Sequence, residues 1–357
     1  MVDINAFRSR PDWMSGKARL SGMTKHPGNK NKPHYNAIMR AAQMLAGTTG
    51  LDDPASGAGG FLLGMMPTGQ VNMNDYDSAL MNVMRQIQGT EGGLVIPYSR
   101  YGGAMDKPTW NSDIRGSTIT RINRGELPQE GSMNYYMHKI RQGIPLTPDE
   151  EREFAIMYLM NKQTGFQGGI RTETGYNNYT PGSLKRFTDA QDISLAQYQP
   201  LFANANLRTG DAADALREWD INDMNLLGAD MPYMNEPSTY GIGFDTGRFV
   251  SALSERNEEG QPIVAFDSMD AADLYRDIGL DVEQIMRYDG TNPDAAKRGY
   301  VPEMVATNIE GLSPRNVLQG FGYHKNIPQQ QKDLLDWTTK KSADPFDYGW
   351  AVLKGSQ

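Results

Sequence analysis

The sequence predicts a mainly α-helical fold with long irregular loops and extended arms, built from short helices with few or no long strands. Three observations lead there. Leu, Ile, Val and Phe together make up roughly 18% of the chain, below the fifth or so expected of a globular protein. Several short stretches carry apolar residues at helical spacing. Between them lie long segments rich in Gly, Pro, Asn and Thr. Gly (38 residues) and Met (21 residues) take the place of the missing aliphatics, and Cys is absent. Such a chain has little apolar surface to bury against itself, so contacts with neighbouring chains are expected to complete its stability.

The elements follow in order. Residues 1–33 form a basic extended arm punctuated by Pro11, Pro27 and Pro33. Ile38, Ala41, Ala42 and Leu45 share one face of a helix from His34 to Leu45. Residues 46–74 read as a flexible or partner-ordered loop. Its core, from Ser56 to Gly64, departs from the dinucleotide fingerprint because Leu62 stands where the third Gly is needed. No Gly-Lys-Ser/Thr follows, so a phosphate-binding P-loop is absent. Asp75 to Gln88 is the clearest helix, with Leu80, Val83, Met84 and Ile87 at i, i+3, i+4 and i+7 and Asp75 as its cap. Leu94 to Ile96 is a short strand, and Trp110 to Arg124 is strand or loop.

Met133 to Arg141 and Pro148 to Lys162 form a helical hairpin. The second helix opens on a capping box, Thr147-Pro148-Asp149-Glu150. A polar linker, residues 163–182, separates this N-terminal helical region (34–162) from a mixed, mostly helical region (183–340). In the latter, Asp211 to Leu227 is helical, Phe249 to Leu253 and Ile263 to Phe266 are short apolar pieces, and Met269–Ile278 and Asp281–Tyr288 are short helices. Residues 289–330 are loop-rich. Residues 341–357 form a docking peptide in which Phe346, Trp350 and Leu353 share one helical side.

Charge and composition narrow the chemistry. The net charge is −8, yet the first forty residues hold eight basic side chains (Arg8, Arg10, Lys17, Arg19, Lys25, Lys30, Lys32 and Arg40) against Asp3 and Asp12. This asymmetry marks an interaction arm for DNA or an acidic protein surface, or else a solvated extension. Without Cys there is no disulfide, thiol nucleophile or Cys-ligated metal. The four histidines are scattered; only His26 and His34 are neighbours, and they lack metalloprotease spacing. No Gly-x-Ser-x-Gly turn occurs. Glu173, in a polar aromatic loop, is the one acid singled out as a candidate general acid on a sugar, and an ordinary loop acid is the plainer reading. No catalytic residue, metal or cofactor is assigned. No stretch approaches the length of a membrane span or a signal peptide.

The basic arm, the loop from Gln163 to Gly182, the Met- and Gly-rich helices and the tail Asp344-Pro345-Phe346-Asp347-Tyr348-Gly349-Trp350-Ala351-Val352-Leu353-Lys354 resemble structural proteins of tailed bacteriophage particles. The resemblance implies a non-enzymatic virion component, made in the host cytoplasm: internal, related to DNA ejection, or at the tail or portal. It would be held by other virion proteins or its own copies, with possible DNA contact through the arm. Two other function classes stand beside it. One is a peptidoglycan-cleaving hydrolase, though the Glu-Ser and Gly-Leu-x-Gln signatures of that activity are missing. The other is a nucleic-acid-binding protein using residues 8–40.

Overall fold

The computed structural model describes residues 33–57, 59–101, 109–116, 119–164, 192–222, 224–231, 244–289 and 299–320. The fold is α/β, which corrects the expectation of a mainly α protein. Its centre is a seven-stranded sheet made of β1 (Gly50–Asp53), β2 (Val71–Asp75), β5 (Ala205–Thr209), β6 (Asn225–Asp230), β7 (Ile263–Asp267), β8 (Asp281–Asp289) and β9 (Gly299–Thr307). In space the order is β5-β2-β1-β6-β7-β9-β8. The first five of these are mutually parallel, and β9 runs antiparallel to both β7 and β8. A separate two-residue pair joins β3 (Val95–Ile96) to β4 (Ile193–Ser194).

The helices alternate with the strands. They are α1 (Pro33–Ala46), α2 (Gly60–Met65), α3 (Ser78–Gly89), α4 (Ile119–Ile122), α5 (Met133–Arg141), α6 (Pro148–Thr164), α7 (Gln199–Phe202), α8 (Ala212–Glu218), α9 (Thr246–Glu258), α10 (Ala272–Asp277) and α11 (Pro314–Gly320). Residues Trp110–Arg115, expected as strand or loop, form a π-helical turn. On the front face, α1, α2, α3 and α6 bury Ile38, Phe61, Leu80 and Phe154 in one cluster with Leu51, Val71 and Leu226 of the sheet. On the rear face, α8, α9 and α10 bury Leu216, Phe249 and Tyr275 against Leu227, Ile263 and Ala265.

The reason the strands escape a periodicity reading is physical. Parallel strands covered on both faces have no solvent side, so they do not alternate. β1 and β2 are buried at every position yet read Gly-Leu-Asp-Asp and Val-Asn-Met-Asn-Asp. The segments expected as loop (β1, β2 and β9) and as helix (β8, and the start of β6 within Asp211 to Leu227) are therefore sheet. The shortage of large aliphatics is met by close approach: a Cβ on Gly228 of β6 would lie 2.5 Å from Met39 Cε and 3.1 Å from Phe61 Cδ2. The bare glycine lets α1 and α2 settle onto the strand, and Met and Ala fill the remaining gaps. The described residues thus carry two cores of their own.

Strands from both sides of residues 163–182 build the one sheet. The helical hairpin forms as its sequence predicts. Thr147 N–H donates to Glu150 Oε2 at 2.9 Å, Glu150 N–H donates to Thr147 Oγ1 at 3.3 Å, and Tyr136 packs on Phe154. No helix among the described residues is long and apolar enough to cross a membrane.

Candidate functional site at the carboxyl edge of the sheet

In an open, doubly wound sheet, ligands bind beyond the carboxyl ends of the strands, where the winding reverses direction. Here the chain winds outward from β1 to β2 to β5, then returns to the other side of β1 to lay down β6 and β7. The reversal point lies between β1 and β6. Four of the five mutually parallel strands end in aspartate at this edge: Asp53 of β1, Asp75 of β2, Asp230 of β6 and Asp267 of β7.

Strand alternation sorts these four. Leu51, Val71, Met73 and Leu226 point into the front core, so Asp53, Asp75 and Asp230, at even offsets from them, share that face. Ala265 points into the rear core, and Asp267 follows it. There it is satisfied: Ser268 N–H donates to its Oδ1 at 2.6 Å and Tyr275 Oη–H donates to its Oδ2 at 3.2 Å. Burial first, and then Asp267, push the Tyr275 phenol well above its usual range.

Loops at this edge are fastened to one another. Between β1 and α2 the sequence reads Pro54-Ala55-Ser56-Gly57-Ala58-Gly59. Gly57 (φ 49°) and Gly59 (φ 70°) adopt the left-handed conformation that favours glycine. Gly57 N–H donates to Asp75 Oδ2 and Asp77 N–H to Asp75 Oδ1, both at 2.8 Å. Asn74 Nδ2 donates to the carbonyls of Pro54 and Gly210, each at 2.9 Å, linking the loops that follow β1 and β5. Tyr76, next to Asp75, is half exposed at the rim.

Asp53 is different from its neighbours. It is 1% exposed, and neither carboxyl oxygen has a hydrogen-bond partner. Burial, and then the like charges of Asp230 and Asp75, hold its carboxyl well above the usual carboxylate range. The Ala55 amide approaches and opposes this, but does not reach hydrogen-bond geometry. One residue earlier, Asp52 points to the rear face and is fully satisfied. Asn72 Nδ2 and Asn225 Nδ2 each donate to its Oδ1 at 2.7 Å, and Gln261 Nε2 donates to its Oδ2 at 2.6 Å. Among the described residues no three acids or histidines converge as a metal site.

The site that sequence reasoning assigned lies elsewhere. Of the arm residues, Arg8, Arg10, Lys17, Arg19, Lys25, Lys30 and Lys32 lie outside the described residues, as do Phe346, Trp350, Leu353, Glu173, His26 and His324. Arg40 is described, and its Nε donates to Gly64 O at 2.6 Å, tying α1 to α2. The residues that reasoning missed are Asp53, Asp75 and Asp230. A signal existed: short apolar runs that each stop on an acid just ahead of a turn (Leu51-Asp52-Asp53-Pro54, Gly228-Ala229-Asp230, Ala265-Phe266-Asp267-Ser268). No known protein family matches the chain, and no curated protein is significantly similar to it.

Proposed function

We propose that this protein is a methyltransferase that takes its methyl group from S-adenosylmethionine and delivers it to the exocyclic amine of a nucleobase, adenine in DNA being the favoured acceptor. One observation carries the reading: a partnerless buried carboxylate, Asp53, flanked by two others beneath a glycine turn at the reversal point of a doubly wound sheet. The location calls for a nucleoside-bearing cofactor. The charge selects which one. A dinucleotide would set its anionic pyrophosphate against three acids, whereas a sulfonium with an ammonium group is attracted by them. Asp75, at the end of β2, stands where a ribose hydroxyl is met in such sheets, and Tyr76 offers a ring to the purine.

The acceptor reading comes from β6. Asp230 is followed in sequence by Met231-Pro232-Tyr233. A carboxylate accepts an N–H of an amino group, and an aromatic side chain nearby stacks on a planar base. The amine lone pair attacks the methyl carbon, the carbon–sulfur bond breaks, and its electron pair stays on sulfur as a neutral thioether. The amine then sheds one proton, for which Asp230 is the nearby acceptor. The basic segment 8–40 supplies phosphate contacts for a polynucleotide. The virion-component reading drew on the aliphatic shortage, the charge asymmetry, the missing catalytic constellations and the resemblance of arm, loop and tail; the two cores of the described residues bear on the first alone.

The test is direct. The full chain is incubated with methyl-labelled donor and double-stranded DNA, and the nucleosides are analysed for methylated adenine. Transfer that falls roughly 100-fold or more in Asp230→Ala, with donor binding retained, supports the assignment. Absence of donor binding to the folded protein overturns it.

A further inference from the structure

We propose that Asp53 is the residue that tells the methyl donor from the spent product: buried without a partner between Asp75 and Asp230, it gives up its proton when a sulfonium arrives and takes one back once the methyl has left. The inference rests on the cofactor reading above and deepens it. Donor and product carry the same adenosine, ammonium and carboxylate, and they differ by one methyl group and one positive charge. A site that senses that charge separates them, whereas shape alone does so poorly, since one methyl is worth little in discrimination.

The geometry supplies such a sensor. The oxygens of Asp52 already accept three hydrogen bonds from amide donors. Asp53 has no donor, and it is 1% exposed, so water does not stabilise its charge. The charged groups that face it are Asp75 from β2 and Asp230 from β6, both acids, and no cation among the described residues acts on it. Its ionised form is therefore costly in the empty protein and is rescued by a cation placed against it. Proton accounting follows. Binding of the cationic donor to protonated Asp53 releases one proton to solvent. Transfer turns the sulfonium into a thioether, the amine's proton leaves through Asp230, and Asp53 regains a proton from solvent as the neutral thioether departs.

The experiment is calorimetric titration of the full chain with S-adenosylmethionine and, separately, with S-adenosylhomocysteine, in buffers of differing ionisation enthalpy and across a pH series. Donor binding is expected to release about one proton, and its affinity to rise about tenfold per pH unit until Asp53 is ionised in the free protein. Product binding is expected to do neither. Asp53→Asn, isosteric and uncharged, is expected to abolish proton release and cut the donor-over-product preference by tenfold or more. The proton count on the unaltered protein needs no variant, so the idea stays exposed if that variant fails to fold. If both ligands bind with the same pH profile, or the preference survives in Asp53→Asn, the sensor role is wrong and the cofactor assignment stands. If neither ligand binds, both fall.

Discussion

Asp52 and Asp53 are adjacent, equally buried and chemically identical, yet they stand in opposite conditions. Asp52 lies on the rear face, where side chains from β2, β6 and the segment before β7 converge to donate three hydrogen bonds. Around it Gln70 and Asn206 add donors to Asn72 Oδ1, so the cluster extends toward the sheet edge at β5. Asp53, on the front face, accepts no hydrogen bond, and the charged groups of the described residues that act on it are both acids. The difference teaches where stability ends and function begins. A buried polar group is tolerated when it is satisfied, and an unsatisfied one in a native structure calls for an explanation. The strand that carries both is four residues long, so the two roles are separated by nothing more than the alternation of a β-strand.

The largest way to break this contrast is Asp52→Ala. Three buried carboxamide donors would lose their acceptor, and unfolding in denaturant is expected to show a loss of about 3 kcal/mol or more. A loss below about 1 kcal/mol would show that the amides re-pair among themselves. Next comes Asp77→Ala. Asp77 caps α3 through Ala79 and Leu80 N–H, and it accepts the Tyr158 hydroxyl of α6 at 2.8 Å. Removing the cap and stranding the phenol is expected to cost roughly 2 kcal/mol.

Asp53→Asn should act in the other direction. A carboxyl whose folded-state pKa is raised keeps its proton in the native protein while the unfolded chain loses it. Stability therefore falls as pH climbs above the ordinary aspartate range, and the neutral variant escapes that penalty. Thermal melts at pH 7 are expected to place Asp53→Asn a few degrees above the parent, with the gap closing as pH drops toward the unfolded-state value. A melting point lowered at neutral pH would contradict the strain assigned to this carboxyl. The smallest effect is expected at Lys139, whose Nζ sits 2.6 Å from Glu150 Oε1 near the protein surface. The lysine and the Thr147 amide hold the Glu150 carboxyl below its usual range. Lys139→Ala is expected to cost less than about 1 kcal/mol at neutral pH. That difference should vanish in acid, as Glu150 takes up its proton.

Much of the helical layer is legible in the sequence, because amphipathic periodicity records which face meets the core. The stretch from Leu80 to Ile87 and the capping box at Thr147 both fold as their spacing implies. Even there the cap of α3 is Asp77 rather than Asp75, since Asp75 still belongs to β2. The sheet is where legibility fails. A strand covered on both faces leaves no polar side to count against, and β6 spends its six positions on Asn-Leu-Leu-Gly-Ala-Asp. The glycine turn is legible in the sequence, but Leu62 breaks the dinucleotide pattern. That spacing serves a ligand with a pyrophosphate, and the acids at this edge argue for a ligand without one. The carboxylates themselves carried no local signal beyond their recurrence at the ends of apolar runs, because what unites them is the pairing of β1 with β2 and β6 across long stretches of chain.

β9 slots between β7 and β8, although it is the last strand of the sheet to be made. During vectorial synthesis, β7 therefore leaves the ribosome with one flank bare, and β8 follows with no neighbour to join. Some forty residues separate the start of β7 from that of β9, so at about ten residues per second the gap stays open for roughly four seconds. Until β9 arrives, the nascent chain shows an unpaired apolar margin of the kind that recruits stray strands. A protein arranged in this way depends, while it is being born, on its final strand arriving before another chain's does.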